Sequence, residues 1–488
     1  MMRRSWSEAM AGGIVSVCFL GLASIALGIL FGSLFVGAAA LFLSCVFGLL
    51  AARFTRSPQL IAVASLSYLA GVVVMVLVYQ GYIADYGIPY WVPGSDDLML
   101  ENDASMCVAK GYYSVFDMAN GNTVRERLHN TKGYVIFLSY LMRAGYYLGG
   151  YHTIVPRIVN IFLLNVIALL IVRLFLMKFT GKETKACSLY ALVALFPNSL
   201  YIASHVYRDV IAAFFLVAVF YLCVRRRKGA RFFVSAIMIA IVLFLAYWVR
   251  ESLLVFALGI ILLSHLMEKR SFQSHMLEGG GSSYDEREGT GQGKPRFGGA
   301  AIVKVRTLVA VIVCVVAGIA ALGLYGDTIM FYMTRYTESL AGGGDGIVAA
   351  IYSLPLLPIG IPARFVAYLI SPFYFALVFD PSQWFSSTQS FCNVLISIGT
   401  VYLVSQYVYL VRGFKVDGRT VLVVALLVLG IALTTFGYRH VVMVYPFMFL
   451  AIAEGKAAMS GQDAVVLPKI SLVVGLLFVC AFAALYIL

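Results

Sequence analysis

Apolar runs of roughly 18 residues or more recur from one end of this chain to the other, each long enough to cross a hydrocarbon core about 30 Å thick as a helix. Of the 488 residues, 61% are hydrophobic and only 12% are charged. The strand-and-turn alternation of a membrane barrel is missing from the sequence. Because unpaired backbone groups are too costly in lipid, the sequence predicts an all-α polytopic membrane protein.

The apolar runs predict about 13 transmembrane helices. Their positions are near 12–30, 34–51, 60–79, 153–177, 187–204, 209–224, 232–249, 252–267, 305–325, 388–411, 420–437, 440–455 and 470–488. A further apolar stretch, 347–379, is interrupted by Pro355, Pro358 and Pro362. It forms either a hairpin of two spans or two helices near the surface, and both alternatives leave the topology of the other spans unchanged.

Lysine and arginine residues collect in connectors on one side of this topology. These connectors contain Arg3, Arg4, Arg53, Arg56, Lys178, Lys182, Lys185, Arg225, Arg226, Arg227, Lys228, Arg231, Arg412, Lys415 and Arg419. The positive-inside rule makes this side cytoplasmic. It also accounts for the net charge of +13 without a nucleic-acid partner. Segment 80–132 then lies outside, and it carries seven acidic residues against four basic ones.

Composition divides the chain into four parts. They are the N-terminal spans 1–59, a transmembrane core 60–267 whose acidic outer loop 80–132 carries interfacial helices, a flexible cytoplasmic linker 268–304, and a C-terminal transmembrane half 305–488 with an outer segment 326–387. The linker is predicted because 271–300 is rich in glycine, serine and charge and has too little apolar surface to fold. The eight cysteines show neither disulfide nor metal spacing.

The outer loop opens with a carboxylate cluster. Residues 94–97 read Gly-Ser-Asp-Asp, and Glu101 and Asp103 follow. Acidic side chains at a membrane surface are costly to desolvate, so they mark a functional hypothesis by default. A carboxylate beside a second acid in a partly dry cleft gains affinity for protons, which makes Asp96 the first candidate for a general base. The alternative is structural, because Gly-Ser-Asp is also a common helix cap.

Short motifs along the chain resemble those of a known superfamily. They are Asp96-Asp97 with Leu100, Ala104 and Gly111, then Lys132-Gly133-Tyr134, Arg157-Ile158-Val159-Asn160, Phe196-Pro197 leading to Arg208-Asp209, and Tyr438-Arg439-His440 before Tyr445-Pro446. Together they resemble the GT-C superfamily of polytopic glycosyltransferases that use polyprenyl-phosphate sugars. The nearest branch contains lipid A aminoarabinose transferases, protein mannosyltransferases and Rhizobium galacturonosyltransferases. The resemblance covers roughly residues 60–455. The chain departs from the family pattern in three ways. Leu100 replaces an aromatic residue, and the prolines that follow the basic residue in the family are missing after Lys132. Three predicted spans, instead of one, precede the acidic loop.

The resemblance implies an inverting glycosyltransferase, a hexosyl- or pentosyltransferase, in the cell inner (plasma) membrane. Its active site would face away from the cytoplasm, and it would transfer a sugar from a polyprenyl-phosphate carrier to a lipid, polysaccharide or protein of the envelope. By the same resemblance, Asp96 and Asp97 are the catalytic residues and Asp209 is the acid of a second loop. Arg439 would bind the donor phosphate from the other side of a cleft.

The chemistry of such a site sets its own requirements. Nucleotide sugars are absent outside the cytoplasm, so the sugar must arrive on a lipid with a phosphate leaving group. The reaction needs a base for the acceptor hydroxyl, a cation for the phosphate and a groove for the lipid tail. The outward-side cations at span ends are Lys132, Arg157, Arg208, Arg250, Arg335 and Arg439. Asp96, Asp97 and Asp209 also offer oxygen ligands suited to Mg or Mn, without a spacing that decides for a metal.

Structural roles and other classes of protein compete with this interpretation. Arg208-Asp209 can equally be an ion pair that caps two spans, and a structural role is favoured for Arg250-Glu251. Arg439-His440 lies where the topology rule disfavours a cation, which favours function. A polysaccharide polymerase or an O-antigen-ligase-like enzyme is the runner-up, since such enzymes depend on outer-loop arginine and histidine. A lipid or polysaccharide transporter is disfavoured because the spans carry few charges.

The topology predicts which segments are reachable from outside the cell. With Cys107 replaced, Ser105→Cys should react with a membrane-impermeant thiol reagent in intact cells or spheroplasts, because 80–132 is outside. The control, Ser282→Cys in the predicted linker, should react only after the membrane is opened. Labelling of Ser282→Cys alone in intact cells would invert the topology.

Overall fold

A computed structural model describes residues 2–55, 57–94, 96–120, 131–225, 230–278, 334, 347–434 and 438–487 of this chain. Across these residues the regular structure is entirely helical and contains no strand. The predicted span near 305–325 and Arg335 lie outside the described residues, as does most of the predicted linker.

The helices of the described part are labelled in chain order. They are α1 (Met2–Leu30), α2 (Leu34–Thr55), α3 (Pro58–Tyr86), α4 (Asp96–Ala109), α5 (Lys132–Tyr147), α6 (Ile154–Lys178), α7 (Glu183–Leu195), α8 (Pro197–Ala203), α9 (Asp209–Val224), α10 (Ala230–Val249), α11 (Ser252–Glu278), α12 (Ile347–Ser353), α13 (Ile361–Leu369), α14 (Phe375–Val378), α15 (Thr388–Gln406), α16 (Val408–Val416), α17 (Gly418–Thr434), α18 (Tyr445–Ala457) and α19 (Asp463–Ile487). Shorter helical turns are Val92–Gly94, Asp117–Asn120, Leu356–Gly360, Pro381–Gln383 and Tyr438–Met443.

Six of the described helices are long and apolar enough to cross a membrane, namely α1, α2, α3, α6, α15 and α19. Helices α7 and α8 add a seventh span if they are counted as one span bent by 49°. The bend follows from Pro197, which holds Phe196 in an extended conformation. Shorter apolar helices occupy 209–224, 233–249, 252–265 and 418–432. The chain is therefore a helical membrane protein, and the count of 13 spans stays a prediction.

The first residues of the predicted linker lie in a helix of the described structure, and the linker itself stays a prediction. Residues 268–278 continue α11 as a helix that ends at Glu278. The reason is local, because this stretch is rich in good helix formers such as methionine, glutamate, lysine and glutamine. A polar helix can thus extend beyond the apolar part of a span.

The centre of the bundle is α6, whose most apolar window is 78% buried. It contacts α2, α3, α7, α9 and α18. Helix α18 is also buried along nearly all of its 13 residues. Two glycines allow α16 and α18 to pack closely: a Cβ on Gly413 would lie 2.4 Å from the Ala451 carbonyl oxygen, and one on Gly455 would lie 2.3 Å from the Tyr409 carbonyl oxygen.

Charged residues define the two ends of this bundle. Lys178, the last residue of α6, forms ion pairs with Asp417 and with the fully buried Glu454. Arg419 pairs with the same Asp417 at 2.9 Å. We call this end, which holds connectors predicted to be cytoplasmic, the basic end. The opposite end carries the N-termini of α4, α6 and α9 and is called the acidic end.

The proline-interrupted stretch predicted at 347–379 contains no described helix long enough to be a full span. Its helices are short, with seven residues in α12, nine in α13 and four in α14. It begins at the acidic end, where α12 hydrogen-bonds to the Ala432 carbonyl at 3.3 Å. The Pro372 carbonyl then accepts a hydrogen bond from Thr400 at 2.5 Å, about 18 Å along α15 from its start. It returns to the acidic end at Thr388, whose N–H donates to Asp85 at 2.8 Å. Segment 347–387 therefore leaves the acidic end, contacts the middle of α15 and returns, and we call it the re-entrant segment.

The basic end yields a prediction about stability. Lys178→Met should lower the free energy of unfolding by about 3–5 kcal/mol, because the buried Glu454 would lose its ion-pair partner and Asp417 would keep only Arg419. Thermal unfolding in detergent measures the loss. Lys182→Met is the matched control, since Lys182 is exposed and forms no ion pair among the described residues; its ammonium donates to the Ala457 carbonyl and lies 5.5 Å from the Phe179 ring centroid. Equal effects of the two substitutions would contradict a specific role for the Lys178 cluster.

Candidate functional site

Five charged or titratable residues from distant parts of the chain meet at the acidic end. Asp96 opens α4, Asp209 opens α9, Arg250 follows α10, and Arg439 and His440 lie on the turn Tyr438–Met443. The positions of these residues at helix ends explain how an apolar chain brings them together. Each can remain close to the membrane surface while its helix packs in the bundle.

Asp96 and Arg439 form the accessible part of the site. The Arg439 Nη2 atom lies 2.5 Å from the Asp96 Oδ2 atom, and the side chains are 26% and 50% exposed, respectively. Behind the pair, the Arg439 guanidinium packs over the Tyr207 ring at 4.6 Å. Burial opposes the charge of Arg439, but Asp209, Tyr207 and Asp96 together raise the pKa of Arg439 above its usual value. The resemblance placed Arg439 across a cleft from the acidic loop, whereas here the two residues are in direct contact.

Asp209, His440 and Arg250 form a buried cluster beside that pair. The Asp209 Oδ1 atom lies 2.7 Å from His440 Nδ1 and 3.7 Å from Arg250 Nη1. Burial, together with the nearby Arg250, lowers the pKa of His440 to about 4. The imidazole is therefore neutral near pH 7, and its Nδ1–H donates to Asp209. The Arg250 guanidinium lies beside the ring, 3.1 Å from Nδ1 and 3.5 Å from Nε2.

Asp97 and Arg157 lie beneath the accessible pair. Both side chains are fully buried, with 4.0 Å between Arg157 Nη2 and Asp97 Oδ2. Burial raises the pKa of Asp97 to about 6, although Arg157 acts in the opposite direction. Arg157 donates to the carbonyls of Pro89 and Ser204. Within the described part of the chain, Asp97 Oδ2 and Arg157 Nε have no hydrogen-bond partner, so the two charges attract without touching.

Glu101 attaches the inner face of α4 to the rest of the protein. Its carboxylate accepts hydrogen bonds from the hydroxyls of Tyr90, Tyr151 and Thr153. Glu101 lies one helical turn after Asp97, so both point inward while Asp96 points outward. Burial and the Glu101 charge raise the pKa values of Tyr90 and Tyr151. These hydroxyls therefore stay protonated and remain hydrogen-bond donors to Glu101.

A buried polar network supports Arg439 from behind. The His205 ring stacks on Tyr207 with centroids 4.9 Å apart and an interplanar angle of 3°. Its Nε2 atom lies 3.3 Å from the Tyr82 hydroxyl, which donates to Gln389 of α15 at 2.8 Å. Burial lowers the pKa of His205 to about 3, so the ring is neutral. The network connects the Tyr207 ring, which packs against Arg439, to α15 without adding another charge.

The remaining predicted residues are placed differently. Lys132 begins α5, and the structure gives its side chain no hydrogen bond or ion pair with the described residues. Arg208 is half-buried directly before Asp209. Asp96, Asp97 and Asp209 do not gather around one point, and no group of three or more His, Cys, Asp or Glu residues in the described ranges could hold a metal ion.

Sequence reasoning favoured a structural role for Arg250, yet the structure places Arg250 in the same cluster as Asp209 and His440. The signal was available, because Arg250 is a cation at the outer end of a predicted span, which is the argument that selected Arg439. For Tyr207 there was no such signal in the sequence, because its ring contacts Arg439 only through the way the turn Tyr438–Met443 folds.

Comparisons of this chain with protein-family models, curated proteins and solved structures found no match. The chemistry of the site is therefore inferred from its own residues. The arrangement offers an accessible carboxylate, an accessible guanidinium and a buried layer of compensating charges at one end of a membrane bundle.

The buried Asp97 carboxylate predicts a pH dependence of stability. The pKa of Asp97 is raised from 3.8 to about 6 in the folded protein, so this group stabilises the fold most at low pH and loses that contribution as pH rises toward 6. Asp97→Asn has no such titration. Its melting temperature relative to wild type should therefore rise between pH 5 and pH 7.5.

Asp117→Asn is the control for this series. Backbone hydrogen bonds from Tyr113 and Ser114 lower the pKa of Asp117 below 3.8, so its linkage window lies under pH 4. Its melting temperature relative to wild type should stay constant from pH 5 to pH 7.5. The same constancy for Asp97→Asn would refute the raised pKa of Asp97.

Proposed function

We propose that this chain is a membrane glycosyltransferase that transfers a sugar from a polyprenyl-phosphate carrier to an envelope acceptor on the outer side of the membrane. The accessible Asp96–Arg439 pair at the acidic end is the observation that carries the proposal. A carboxylate can take a proton from a hydroxyl, and a guanidinium matches phosphate oxygens with parallel hydrogen bonds. Both side chains are partly exposed, so a substrate can reach them.

In this mechanism the donor phosphate competes with Asp96 for Arg439. When the phosphate binds the guanidinium, Asp96 is released and can accept the proton of the acceptor hydroxyl. The acceptor oxygen attacks the anomeric carbon as the bond from that carbon to the phosphate oxygen breaks. The phosphate leaves with the electron pair, and attack from the opposite face inverts the configuration. Negative charge grows on the phosphate in the transition state, where Arg439 stabilises it most.

The buried residues around Asp209 and Glu101 position Asp96 and Arg439. Asp209 attracts Arg250 and accepts from His440, the residue next to Arg439, so the turn that carries Arg439 is tied to the start of α9. Glu101 holds the inner face of α4. Since Asp97 is fully buried and Asp96 is half exposed, Asp96 is the residue that can reach a substrate. We assign the role of base to Asp96 and a positioning role to Asp97.

A polysaccharide polymerase or an O-antigen-ligase-like enzyme is the second candidate. The grouping of Arg250, Arg439 and His440 favours it, because such enzymes use arginine and histidine on a lipid-linked donor. The two candidates differ in their dependence on Asp96. A ligase-like reaction that relies on the arginine and histidine residues would retain most of its rate without that carboxylate.

The transferase proposal is tested with purified enzyme and a polyprenyl-phosphate sugar. Asp96→Asn should reduce the rate on the order of a hundredfold or more, because the acceptor proton loses its base. Arg439→Ala should nearly abolish transfer, and Arg439→Lys should restore it only in part because an ammonium lacks the planar fork. Donor affinity and turnover should both fall in the Arg439 variants.

Arg412→Ala is the matched control, since Arg412 pairs with Asp463 at 3.2 Å in the connectors of the basic end. It should transfer sugar at the wild-type rate. A nucleotide sugar, assayed separately, should be inactive. Wild-type rates for Arg439→Ala, or activity with the nucleotide sugar alone, would refute the mechanism, and near-normal transfer by Asp96→Asn would favour the ligase-like candidate.

A further inference from the structure

Arg364, in α13 of the re-entrant segment, is a buried cation outside the site described above. Its side chain is only 2% exposed. The Nη2 atom donates to the Tyr352 carbonyl at 3.2 Å, and the guanidinium packs over the Tyr352 ring at 4.1 Å. Within the described part of the chain, Nε and Nη1 are buried without a hydrogen-bond partner. Two of the three guanidinium nitrogens therefore remain unsatisfied.

Such an arginine is costly in a membrane protein. Desolvation of its charge must be offset by an anion or by hydrogen-bond acceptors. No ion pair to Arg364 is formed among the described residues, whereas the buried Arg157 has Asp97 nearby. Buried charges inside membranes are typically paired or lie on the path of a ligand. The geometry points to an anion as the missing partner of Arg364.

The position of Arg364 relates this anion to the rest of the protein. The Arg364 guanidinium contacts Tyr352, whose hydroxyl donates to the Ala432 carbonyl at the acidic end. The anion would therefore lie on the side of the bundle that holds the acidic end, at a cation other than Arg439.

The neighbouring face of α13 indicates what carries the anion. It lines an apolar groove of about 540 Å³, formed in part by Ile359, Pro362, Ala363, Val366 and Ile370. The lining is almost entirely apolar, which suits a hydrocarbon chain. A cation and an apolar groove on adjacent faces of one membrane helix match the head and the chain of a lipid phosphate.

We propose that Arg364 binds the phosphate of a membrane lipid whose hydrocarbon chain lies in the groove along α13. Two lipid classes share this chemistry, namely the polyprenyl-phosphate carrier and the phospholipids of the bilayer. The proposal goes beyond the transferase reaction, because it requires only that a lipid phosphate binds. It can stand or fall independently of sugar transfer.

Binding is measured by thermal shift on delipidated protein in detergent, without any sugar substrate. The probes are undecaprenyl phosphate, phosphatidylglycerol and inorganic phosphate at equal concentrations. At least one of the two lipids should stabilise the wild type, and Arg364→Met should bind that lipid at least tenfold more weakly. Arg412→Met, at the basic end, should bind it like the wild type. The lipid that shows the Arg364-dependent shift identifies the source of the phosphate.

Two further variants separate binding from a merely structural role. Val366→Trp fills the groove from a position that is 56% exposed, so it should weaken lipid binding and leave the lipid-free melting temperature unchanged. Arg364→Lys keeps the charge and should bind lipid with intermediate affinity. Lipid-free Arg364→Met should be at least as stable as the wild type, because an unsatisfied charge is removed from the interior.

The opposite results would overturn the proposal. They are absence of any lipid-phosphate binding by the wild type, equal lipid affinity of Arg364→Met and wild type, or a shift by inorganic phosphate as large as that by the lipids. A lower melting temperature of Arg364→Met with unchanged lipid affinity would show a structural arginine. The two proposals can fail separately. If Arg364→Met loses lipid binding but the wild type transfers no sugar, the lipid site is supported and only the transferase proposal is refuted.

Discussion

Compensation of buried charge is the constraint on which this structure depends. Lipid offers no hydrogen bonds and little dielectric screening, so a buried ionic group is costly unless a partner compensates its charge. Lys178 meets this requirement at the basic end with two carboxylates. At the acidic end Asp209 meets it with His440 and Arg250. The packing of the apolar helices follows from these pairings, because they fix which helix ends must come together.

Helical geometry separates the roles of two adjacent acids. Asp96 and Asp97 differ by about 100° around α4, so one reaches the surface and the other enters the interior. The exposed carboxylate meets Arg439, and the buried one faces Arg157 across 4.0 Å. Of these two adjacent acids, Asp96 is therefore accessible to a substrate, whereas Asp97 belongs to the core. An acidic loop motif alone cannot show this division.

The sequence predicted the helical membrane class and the residues that collect at the acidic end, since charges are conspicuous in a chain that is 61% hydrophobic. Asp96 and Arg439 were singled out on that basis, and Asp209 through the resemblance. Which charges contact one another was beyond sequence reasoning, because Asp96 and Arg439 are distant in the chain and meet only through the packing of α4 and the turn Tyr438–Met443. The re-entrant path of 347–387 was missed for a related reason. Its prolines predict breaks in the helix. How far the segment extends along α15 depends on contacts such as that between Thr400 and Pro372.

The hydroxyl groups around Glu101 have a consequence for the response of this protein to salt. Tyr90, Tyr151 and Thr153 hold α4 through buried hydrogen bonds, which dissolved ions screen very little. Asp96 is half exposed, and its attraction to Arg439 is weakened as ionic strength rises. As ionic strength rises, α4 would therefore keep its place while the contact at its first residue loosens. The anchoring of the helix and the strength of its surface ion pair are thus physically decoupled.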